Sequence, residues 1–379
     1  MKAQPGDSKT TAIVTGANGF IGAHVVGRLL RRGWTVWALG RGKPGAVWEH
    51  RVREALWDAG QLSDAGATQI AKLRCCESDL GRADLGLPPD AAVFGAAGVV
   101  LVHVAGDTRF RPGDPEEQRR INVDTPLRVV RALRGCVSRV VHVSTAYVAG
   151  DREGLILESE GRLNQGFRNP YEESKMEAEI RVAALCGELG LPLSIARPSI
   201  IVNDTCHGRA STFTHLNVMV EVVNRIQEYY GIRDGEAVSR EIRVPLDSAA
   251  RPNLAAVDPV AEALVAIVES EGAAGKTFHL CHPAPASNGE TFGLILAAFG
   301  VREKIRLRFV RDITPPLSRT EAMMVRSFKV YLPYLNDRKE FDLTNSRELL
   351  PRYDSMFPQP TVAYLRKVIA FERSRRRAG

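Results

Sequence analysis

Residues 15–22 read Thr15-Gly16-Ala17-Asn18-Gly19-Phe20-Ile21-Gly22 and join two segments of different character. Residues 11–15 form a short β-branched run that predicts a strand, and residues 21–32 have the apolar spacing of a helix. Glycines at such a junction allow a tight turn that can approach a pyrophosphate, which the free amides of the helix N-terminus would hold. We therefore predict a dinucleotide site formed by Gly16, Asn18, Gly19, Phe20, Ile21 and Gly22.

The first half of the chain continues this alternation of strands and helices. Further strands are predicted at 35–39, 72–76, 99–103, 140–144 and 193–196, and helices at 119–134 and 171–189. Such alternation is typical of right-handed βαβ units, so we expect an α/β fold with a Rossmann-type doubly wound parallel sheet. We assign 1–204 to the dinucleotide-binding domain, with its sheet completed by about 256–282, and 205–255 and 283–379 to a smaller C-terminal substrate-binding lobe.

Composition narrows the class of protein. The chain has 379 residues, of which 44% are hydrophobic and 25% charged, as is usual in globular domains. Its formal net charge of +7 favours anionic partners such as phosphorylated cofactors, CoA or acidic proteins. The arginine-rich segment 373–377 lacks interleaved aromatic residues, so we interpret it as a solvated helix end and predict no nucleic-acid partner.

The spacing of the cysteines and the hydropathy of the chain indicate the cellular compartment of the protein. The six cysteines form no CxxC pair and no Cys/His cluster with zinc-ligand spacing, so we predict free thiols and no metal site. The first ten residues are polar, and the longest nearly uncharged run, 91–106, is too short for a membrane-spanning helix. We expect a cytoplasmic protein with no signal peptide and no membrane partner, and its oligomeric state stays open.

The segment after the second predicted strand indicates which dinucleotide binds. An acidic residue there would bind the 2′-hydroxyl of NAD, but this chain has Gly40-Arg41-Gly42-Lys43. Arg41, helped by Lys43, offers donors for a 2′-phosphate, which favours NADP(H) over NAD; the alternative is a solvated basic turn. Asp79-Leu80 follows the third strand and would place a carboxylate near the adenine amino group, with a helix cap as the alternative.

A candidate catalytic group comes from Tyr171 and Lys175, which share one helical face because they are four residues apart. A nearby ammonium would lower the pKa of the phenol from its usual value of about 10. Thr145, at the carboxyl end of the fifth predicted strand, would bind the substrate carbonyl, and Ser144 is the fallback. The alternative for the Tyr/Lys pair alone is an ordinary surface pair.

Six segments taken in order resemble the motifs of extended short-chain dehydrogenases/reductases: TGANGFIG, HVAGDTRF from His103, INVDT from Ile121, VSTAYVAG from Val143, PYEESK and ARPSI. Within that superfamily, SDLGRADLGL from Ser78 is similar to the motif of thioester reductases and fatty acyl-CoA reductases. Arg197-Pro198-Ser199-Ile200-Ile201, Asn253-Leu254 through Asp258, and Phe341-Asp342 with Asn345 also look like signatures of that branch.

The resemblance implies roles for particular residues. Thr145, Tyr171 and Lys175 would be the catalytic triad, and Lys175 would also contact the nicotinamide ribose. The glycines of 15–22 and Arg41 would bind NADPH, and Asn122 would fix the helix that supports the active site. The remaining residues expected around the cofactor are Asp79, Leu80, Val104, Ala105, Gly106, Arg197, Pro198 and Ser199. His103-Val104-Ala105-Gly106 departs from the usual double alanine, which would adjust the packing beneath the nicotinamide.

By the same resemblance we expect an NADPH-dependent reductase of an acyl thioester, giving an aldehyde and with further reduction to the alcohol left open. The thioester would be delivered by CoA or by an acidic carrier protein. The alternatives are a nucleotide-sugar epimerase or dehydratase, a hydroxysteroid-type alcohol dehydrogenase, and a redox-sensing regulator, which the intact Tyr/Lys pair disfavours. We interpret His103 as a packed core residue and Asp258 as a helix cap, and Arg109-Phe110 as either a loop anchor or a ligand contact.

Overall fold

The computed structural model of this chain describes residues 10–62, 70–95, 98–111, 113–212, 214–231 and 241–378. Residues 1–9, on which the prediction about a signal peptide depends, lie outside these ranges. In the described part of the chain, no helix is both long and apolar enough to cross a bilayer.

The core of the fold is a seven-stranded sheet in which every strand pair is parallel. Its strands are β1 (Thr11–Thr15), β2 (Thr35–Gly40), β3 (Leu73–Glu77), β4 (Val99–His103), β5 (Val137–Val143), β7 (Leu193–Pro198) and β11 (Thr277–Leu280). Their spatial order is β3-β2-β1-β4-β5-β7-β11. This is the predicted Rossmann-type sheet, and the fold class is confirmed. The order reverses between β1 and β4, which is where ligands bind in open parallel sheets.

Three pairs of short parallel strands lie outside this sheet. They are β6 (Gly154–Ile156) with β13 (Lys339–Phe341), β8 (Ile200–Val202) with β10 (Leu254–Ala256), and β9 (Glu241–Val244) with β12 (Arg306–Phe309). Each pair joins distant parts of the sequence. The first two tie later segments to the residues that follow β5 and β7, and the third joins two segments of the C-terminal part.

The helices of the first half are α1 (Phe20–Arg31), α2 (Trp48–Asp58), α3 (Pro115–Arg119), α4 (Thr125–Leu133) and α5 (Pro170–Glu188). Those that follow are α6 (His215–Tyr229), α7 (Val257–Glu269), α8 (Asn288–Phe299), α9 (Arg319–Phe328), α10 (Leu332–Leu335), α11 (Thr344–Leu349), α12 (Tyr353–Met356) and α13 (Val362–Ala378). The arginine-rich segment 373–377 therefore lies at the end of a helix, as expected.

Three apolar clusters hold these elements together. One packs α1, α2 and α7 on one face of the sheet, as shown by Val25, Val52 and Leu264, and another packs α4 and α5 on the opposite face. A third cluster unites α6, α8, α9 and α13 and includes Met219 and Phe292. The C-terminal elements thus have a core of their own, and the division of the chain at residue 204 stays a prediction.

The helix predicted over 119–134 is present but irregular. The structure has the end of α3, a π-helical turn at Arg120–Asp124, and then α4. Pro126, the second residue of α4, has no amide hydrogen to donate to a preceding carbonyl, so a regular α-helix cannot run through this point. The wider turn carries Asn122, and π-turns of this kind are frequent at functional sites.

Candidate active site

The glycine-rich turn between β1 and α1 has space only for glycine at two positions. Gly16 has φ +71°, and a Cβ there would lie 2.7 Å from the amide nitrogen of Ala105. A Cβ on Gly22 would lie 2.0 Å from the carbonyl oxygen of Gly16. Gly19 is the N-cap of α1. Because it has no side chain, it cannot accept a hydrogen bond from the first amides of the helix. The turn therefore leaves backbone donors facing a cradle with no side chains, which fits a pyrophosphate.

The loop after β4 lies directly against this turn. The amide of Val104 donates to the carbonyl of Thr15 (3.3 Å), and the amide of Ala105 donates to the Thr15 hydroxyl (3.4 Å). Val104 and Ala105 thus border the glycine turn, as expected of residues near the cofactor. Gly106 lies beside Asn122, whose Oδ1 would be 3.1 Å from a Cβ at this position.

The carboxyl end of β2 carries two arginines. Arg41 is exposed, and its carbonyl accepts a hydrogen bond from Nη1 of Arg51 (2.6 Å). The guanidinium of Arg51 lies over the ring of Trp48. Glu77, at the end of β3, accepts from the amide of Gly42 (3.1 Å), so a carboxylate also borders this turn. Sequence reasoning found Arg41 and Lys43 but missed Arg51, although a basic residue in the first turns of α2 was visible.

Asp79 and Leu80 form a turn beside β2. The amide of Ser78 donates to the carbonyl of Gly40 (2.6 Å), which brings this segment next to Arg41. Asp79 Oδ1 accepts from the amide of Gly81 (3.0 Å), so Asp79 closes a turn and caps no helix. Leu80 packs against the apolar cluster on the α4–α5 face.

Thr145 and Tyr171 lie together at the carboxyl end of β5. The Thr145 hydroxyl lies near the Tyr171 phenol, and this proximity acts to lower the pKa of the phenol. The Thr145 hydroxyl also donates to the carbonyl of Pro198 at 3.4 Å, a long and weak bond that a ligand could replace. The Ser144 hydroxyl, by contrast, is buried without a hydrogen-bond partner among the described residues. Of the two candidates, only Thr145 contacts Tyr171.

Lys175 lies one helical turn after Tyr171 and is buried. Its ammonium donates to the carbonyl of Val143 at 2.6 Å, and burial lowers its pKa to about 8. Burial also raises the pKa of Tyr171 to about 12, although the nearby Thr145 hydroxyl acts to lower it. The predicted lowering of the phenol pKa is therefore wrong for the protein alone, because desolvation of the phenolate outweighs any effect of the ammonium.

Two buried histidines lie close to Lys175. His103 and His142 are aligned on β4 and β5, and their rings are stacked with centroids 5.7 Å apart. His103 Nδ1 is 2.9 Å from the Thr15 hydroxyl. Burial and the Lys175 ammonium lower the pKa of His103 to about 3 and that of His142 well below its usual value. Both rings are neutral, and His103 is the packed core residue that we expected.

Asn122 connects the loop after β4 to the helix that carries Tyr171. Its side-chain amide donates to the carbonyl of Asp107 (2.9 Å) and to the hydroxyl of Ser174 (3.0 Å). Its Oδ1 accepts from the amide of Asp107 (2.8 Å). These three hydrogen bonds hold the π-helical turn against the loop after β4 and against α5, which agrees with the supporting role expected for Asn122.

The expected role of Arg197 at the cofactor requires correction. Its side chain is 3% exposed and pairs with Glu179 of α5 through Nε–Oε1 (3.0 Å) and Nη2–Oε2 (2.7 Å). Nη2 also donates to the carbonyl of Glu160 (2.9 Å). Arg197 and Pro198 belong to strand β7, not to a turn, and Ser199 follows with its amide bonded to Leu280. The guanidinium is committed to a buried ion pair.

The other candidates have structural partners. Asp258 lies in the first turn of α7, whose N-cap is Ala256, so the interpretation of Asp258 as a helix cap is wrong. Its carboxylate accepts from the amide of Thr205 (3.0 Å) and anchors a loop to the start of α7. Arg109 pairs with Asp107 (2.6 Å) and is a loop anchor.

Phe110 packs 6.2 Å from the ring of Tyr171. It also stacks on Tyr334, which sequence reasoning missed because α10 is distant in sequence.

The residues described by the structure contain no group of three or more His, Cys, Asp or Glu side chains arranged to hold a metal ion.

Two curated proteins are similar in sequence to about half of this chain. Among curated proteins, the chain is 32% identical over 206 residues to a dihydroflavonol 4-reductase of Zea mays, covering 51% of this chain and 53% of that protein. It is 29% identical over 196 residues to a dTDP-glucose 4,6-dehydratase of Mycolicibacterium smegmatis, covering 49% and 52%. The chain thus spans about half the length of the curated relatives it matches.

Solved structures resemble the whole chain in fold. The terminal R domain of the myxalamid PKS-NRPS biosynthetic pathway aligns with a TM-score of 0.76 at 20% identity, covering 97% of this chain and 92% of that one. A thiolation-reductase di-domain from an archaeal non-ribosomal peptide synthetase aligns with a TM-score of 0.71 at 15% identity, covering 98% and 77%. UDP-glucuronic acid 4-epimerase from Bacillus cereus aligns with a TM-score of 0.65 at 14% identity, covering 96% and 99%.

The family model described as "Male sterility protein", a model of NAD-binding domains, matches residues 14–263. This range contains the glycine turn, Thr145, Tyr171 and Lys175, and the match confirms the resemblance seen in the motifs. The chain belongs to the Male sterility protein family of NAD(P)-binding extended short-chain dehydrogenases/reductases.

Proposed function

We propose that this protein is an NADPH-dependent reductase that converts an acyl thioester into an aldehyde and a free thiol. The observation that carries the proposal is the proximity of the Thr145 and Tyr171 hydroxyls, with Lys175 one helical turn after Tyr171, at the carboxyl edge of β5. Two hydroxyls and an ammonium at this edge are suited to binding a carbonyl oxygen and delivering a proton to it.

The cofactor site is proposed along the edge that runs from β2 to β5. The turn at Gly16 and Gly22 suits a pyrophosphate because these glycines allow a backbone path too tight for any side chain, and the first amides of α1 have no side-chain cap. Arg41 and Lys43 supply positive charge for a 2′-phosphate, and Arg51 adds a third cation beside them. When bound there, NADPH supplies the hydride for the reduction.

The chain's own residues bind and protonate the substrate. The hydroxyls of Thr145 and Tyr171 donate hydrogen bonds to the thioester carbonyl oxygen and stabilise the negative charge that develops on it. Thr145 can redirect its proton because its bond to Pro198 is long. A phenol with a raised pKa stays protonated at neutral pH, and the Lys175 ammonium supports its proton transfer. When the carbonyl re-forms, the C–S bond breaks and the proton that the oxygen gives up passes to the departing sulfur, so that an aldehyde and a thiol are released.

The nature of the thioester is supported by likeness in fold and by charge. Two structural neighbours are reductase domains of assembly-line synthetases, and one of these structures joins its reductase to a thiolation domain. The net charge of +7 suits an acidic carrier protein or the phosphates of CoA. We therefore propose an acyl group bound to a carrier protein or to CoA as the substrate. Reduction of the aldehyde to the alcohol would be a second step, which this proposal leaves open.

The decisive experiment measures NADPH oxidation against acyl-CoA and acyl-pantetheine panels, with trapping of the aldehyde. Thioester-dependent oxidation with release of thiol would support the proposal. The rival is the nucleotide-sugar epimerase that shares the fold. An enzyme of that class would carry tightly bound NAD and convert nucleotide sugars without net consumption of NADPH, and this result would overturn the proposal.

The pH dependence of the reaction follows from Lys175. The reaction needs the ammonium form, and burial lowers the pKa of Lys175 to about 8. A lowered pKa means that the charge is lost earlier as the pH rises, so kcat/KM should decrease above about pH 8. Tyr171 stays protonated throughout this range because its pKa is raised. A pH profile of kcat/KM, which reports groups of the free enzyme, checks this; an unchanged value up to pH 10 would contradict it.

Coenzyme preference should depend on Arg41. Arg41→Ala removes a donor proposed to bind the 2′-phosphate, and a hydrogen bond to a charged group contributes about 1.5–3 kcal/mol. We expect KM for NADPH to rise roughly 10- to 100-fold while KM for NADH changes little. Arg53→Ala is the matched control, because Arg53 pairs with Glu49 on the outer part of α2. Equal effects on the two coenzymes would exclude a role for Arg41 in recognising the phosphate.

A further inference from the structure

Lys175 has a carboxylate neighbour on its own helix that could pair with its ammonium. Glu179 follows four residues later on α5, at the spacing where a lysine and a glutamate commonly form a salt bridge. Both side chains are buried, so such a bridge would be little weakened by solvent. Yet in the described part of the chain no ion pair joins the two, and the ammonium donates to Val143 instead.

Arg197 explains why the two groups remain apart. From β7 it binds both carboxylate oxygens of Glu179 with a two-pronged contact, and its own position is held by the carbonyl of Glu160. The side chains of this pair are 3% and 5% exposed. A guanidinium matches a carboxylate in this planar, bidentate geometry better than an ammonium does.

The other groups around Lys175 are uncharged. His103 on β4 and His142 on β5 are both neutral, and on α5 itself Tyr171 is protonated. Glu172, also buried on α5, accepts from the amide of Arg168 and from the Tyr334 hydroxyl. Glu179, held by Arg197, is the carboxylate that acts on the Lys175 ammonium. The charge of Glu179 raises the pKa of Lys175, and this opposes the larger effect of burial.

We propose that Arg197 is a positioning residue for Lys175: by holding both oxygens of Glu179, it prevents a salt bridge between Glu179 and Lys175. The ammonium is thereby left available to Tyr171 and to the cofactor ribose. The second half of this role rests on the proposed reductase function, but the first half concerns the protein alone and can be tested without turnover.

The test measures the pKa of Lys175 directly. Competitive labelling of lysines with acetic anhydride across neutral to alkaline pH, followed by mass spectrometry of the Lys175 peptide, gives that pKa in the cofactor-free protein. In Arg197→Met, Glu179 is released and pairs with Lys175, so the pKa of Lys175 should rise by about one unit or more. NADPH binding, followed by fluorescence, should weaken in the same variant.

The double variant Arg197→Met/Glu179→Gln separates this role from a purely structural one. A neutral amide cannot form the competing salt bridge, so the pKa of Lys175 should return towards the wild-type value. If Arg197→Met leaves that pKa unchanged, or if the double variant is shifted as far as the single one, the proposal is overturned. If Arg197→Met does not fold, Arg197→Lys takes its place. A lysine binds only part of the carboxylate, so a smaller rise is expected, and no rise would overturn the proposal.

Failure of this proposal is distinguishable from failure of the proposed function. An unmodified protein that does not oxidise NADPH with any thioester would refute the function while leaving the labelling result valid. An active protein whose Lys175 does not respond to Arg197→Met would refute the positioning role alone.

Discussion

Tyr171→Phe should reduce thioester-dependent NADPH oxidation by about 10²- to 10³-fold, because it removes a hydrogen-bond donor to the developing oxyanion together with the proton source. The phenyl ring keeps the packing against Phe110, so the fold should be unchanged. NADPH binding should also remain, since the glycine cradle is untouched. Steady-state kcat with an acyl-CoA, measured beside the Kd for NADPH, checks both expectations.

Tyr230→Phe is the matched control for this substitution. The Tyr230 hydroxyl bonds the Thr320 hydroxyl (3.1 Å) in the C-terminal cluster, so its loss should leave kcat within a few-fold of the wild-type value. Should Tyr171→Phe retain wild-type turnover, the phenol would have no role in the chemistry and the mechanism proposed above would be incorrect.

Gly22→Ala should abolish NADPH binding. Its Cβ would lie 2.0 Å from the Gly16 carbonyl oxygen, and this contact is with the backbone, so no side-chain movement can relieve it. The turn must open, which displaces both the cradle and the start of α1. We expect a Kd for NADPH at least about 10²-fold higher, and a lower thermal midpoint because overpacking commonly costs about 1–3 kcal/mol.

Gly187→Ala is the corresponding control, since a Cβ there meets no atom within 4 Å and lies on an exposed position of α5. Alanine is favoured over glycine in a helix interior by roughly 1 kcal/mol, so this variant should bind NADPH normally and melt at the same or a higher temperature. Normal NADPH binding by Gly22→Ala would show that the turn is not the pyrophosphate site.

Much of the architecture could be predicted from local sequence. The strand-turn-helix around the glycines and the seven parallel strands follow from patterns that depend on main-chain geometry and on the alternation of apolar segments. The pairing of Tyr171 with Lys175 is likewise a matter of helical spacing. The place of Thr145 at a strand end favours it over Ser144, and the proximity of its hydroxyl to Tyr171 is what the structure adds.

The tertiary structure decided the electrostatics of the site. Local sequence does not reveal which distant residues surround a side chain or how far it is removed from water, and these two factors set a pKa. The raised pKa of Tyr171, the ion pair of Arg197 with Glu179 and the contact of Arg51 with Arg41 all depend on such distant neighbours. The order of elements and the candidate chemistry can thus be deduced from this sequence alone, whereas the charge and freedom of each reacting group depend on burial, which only the folded chain determines.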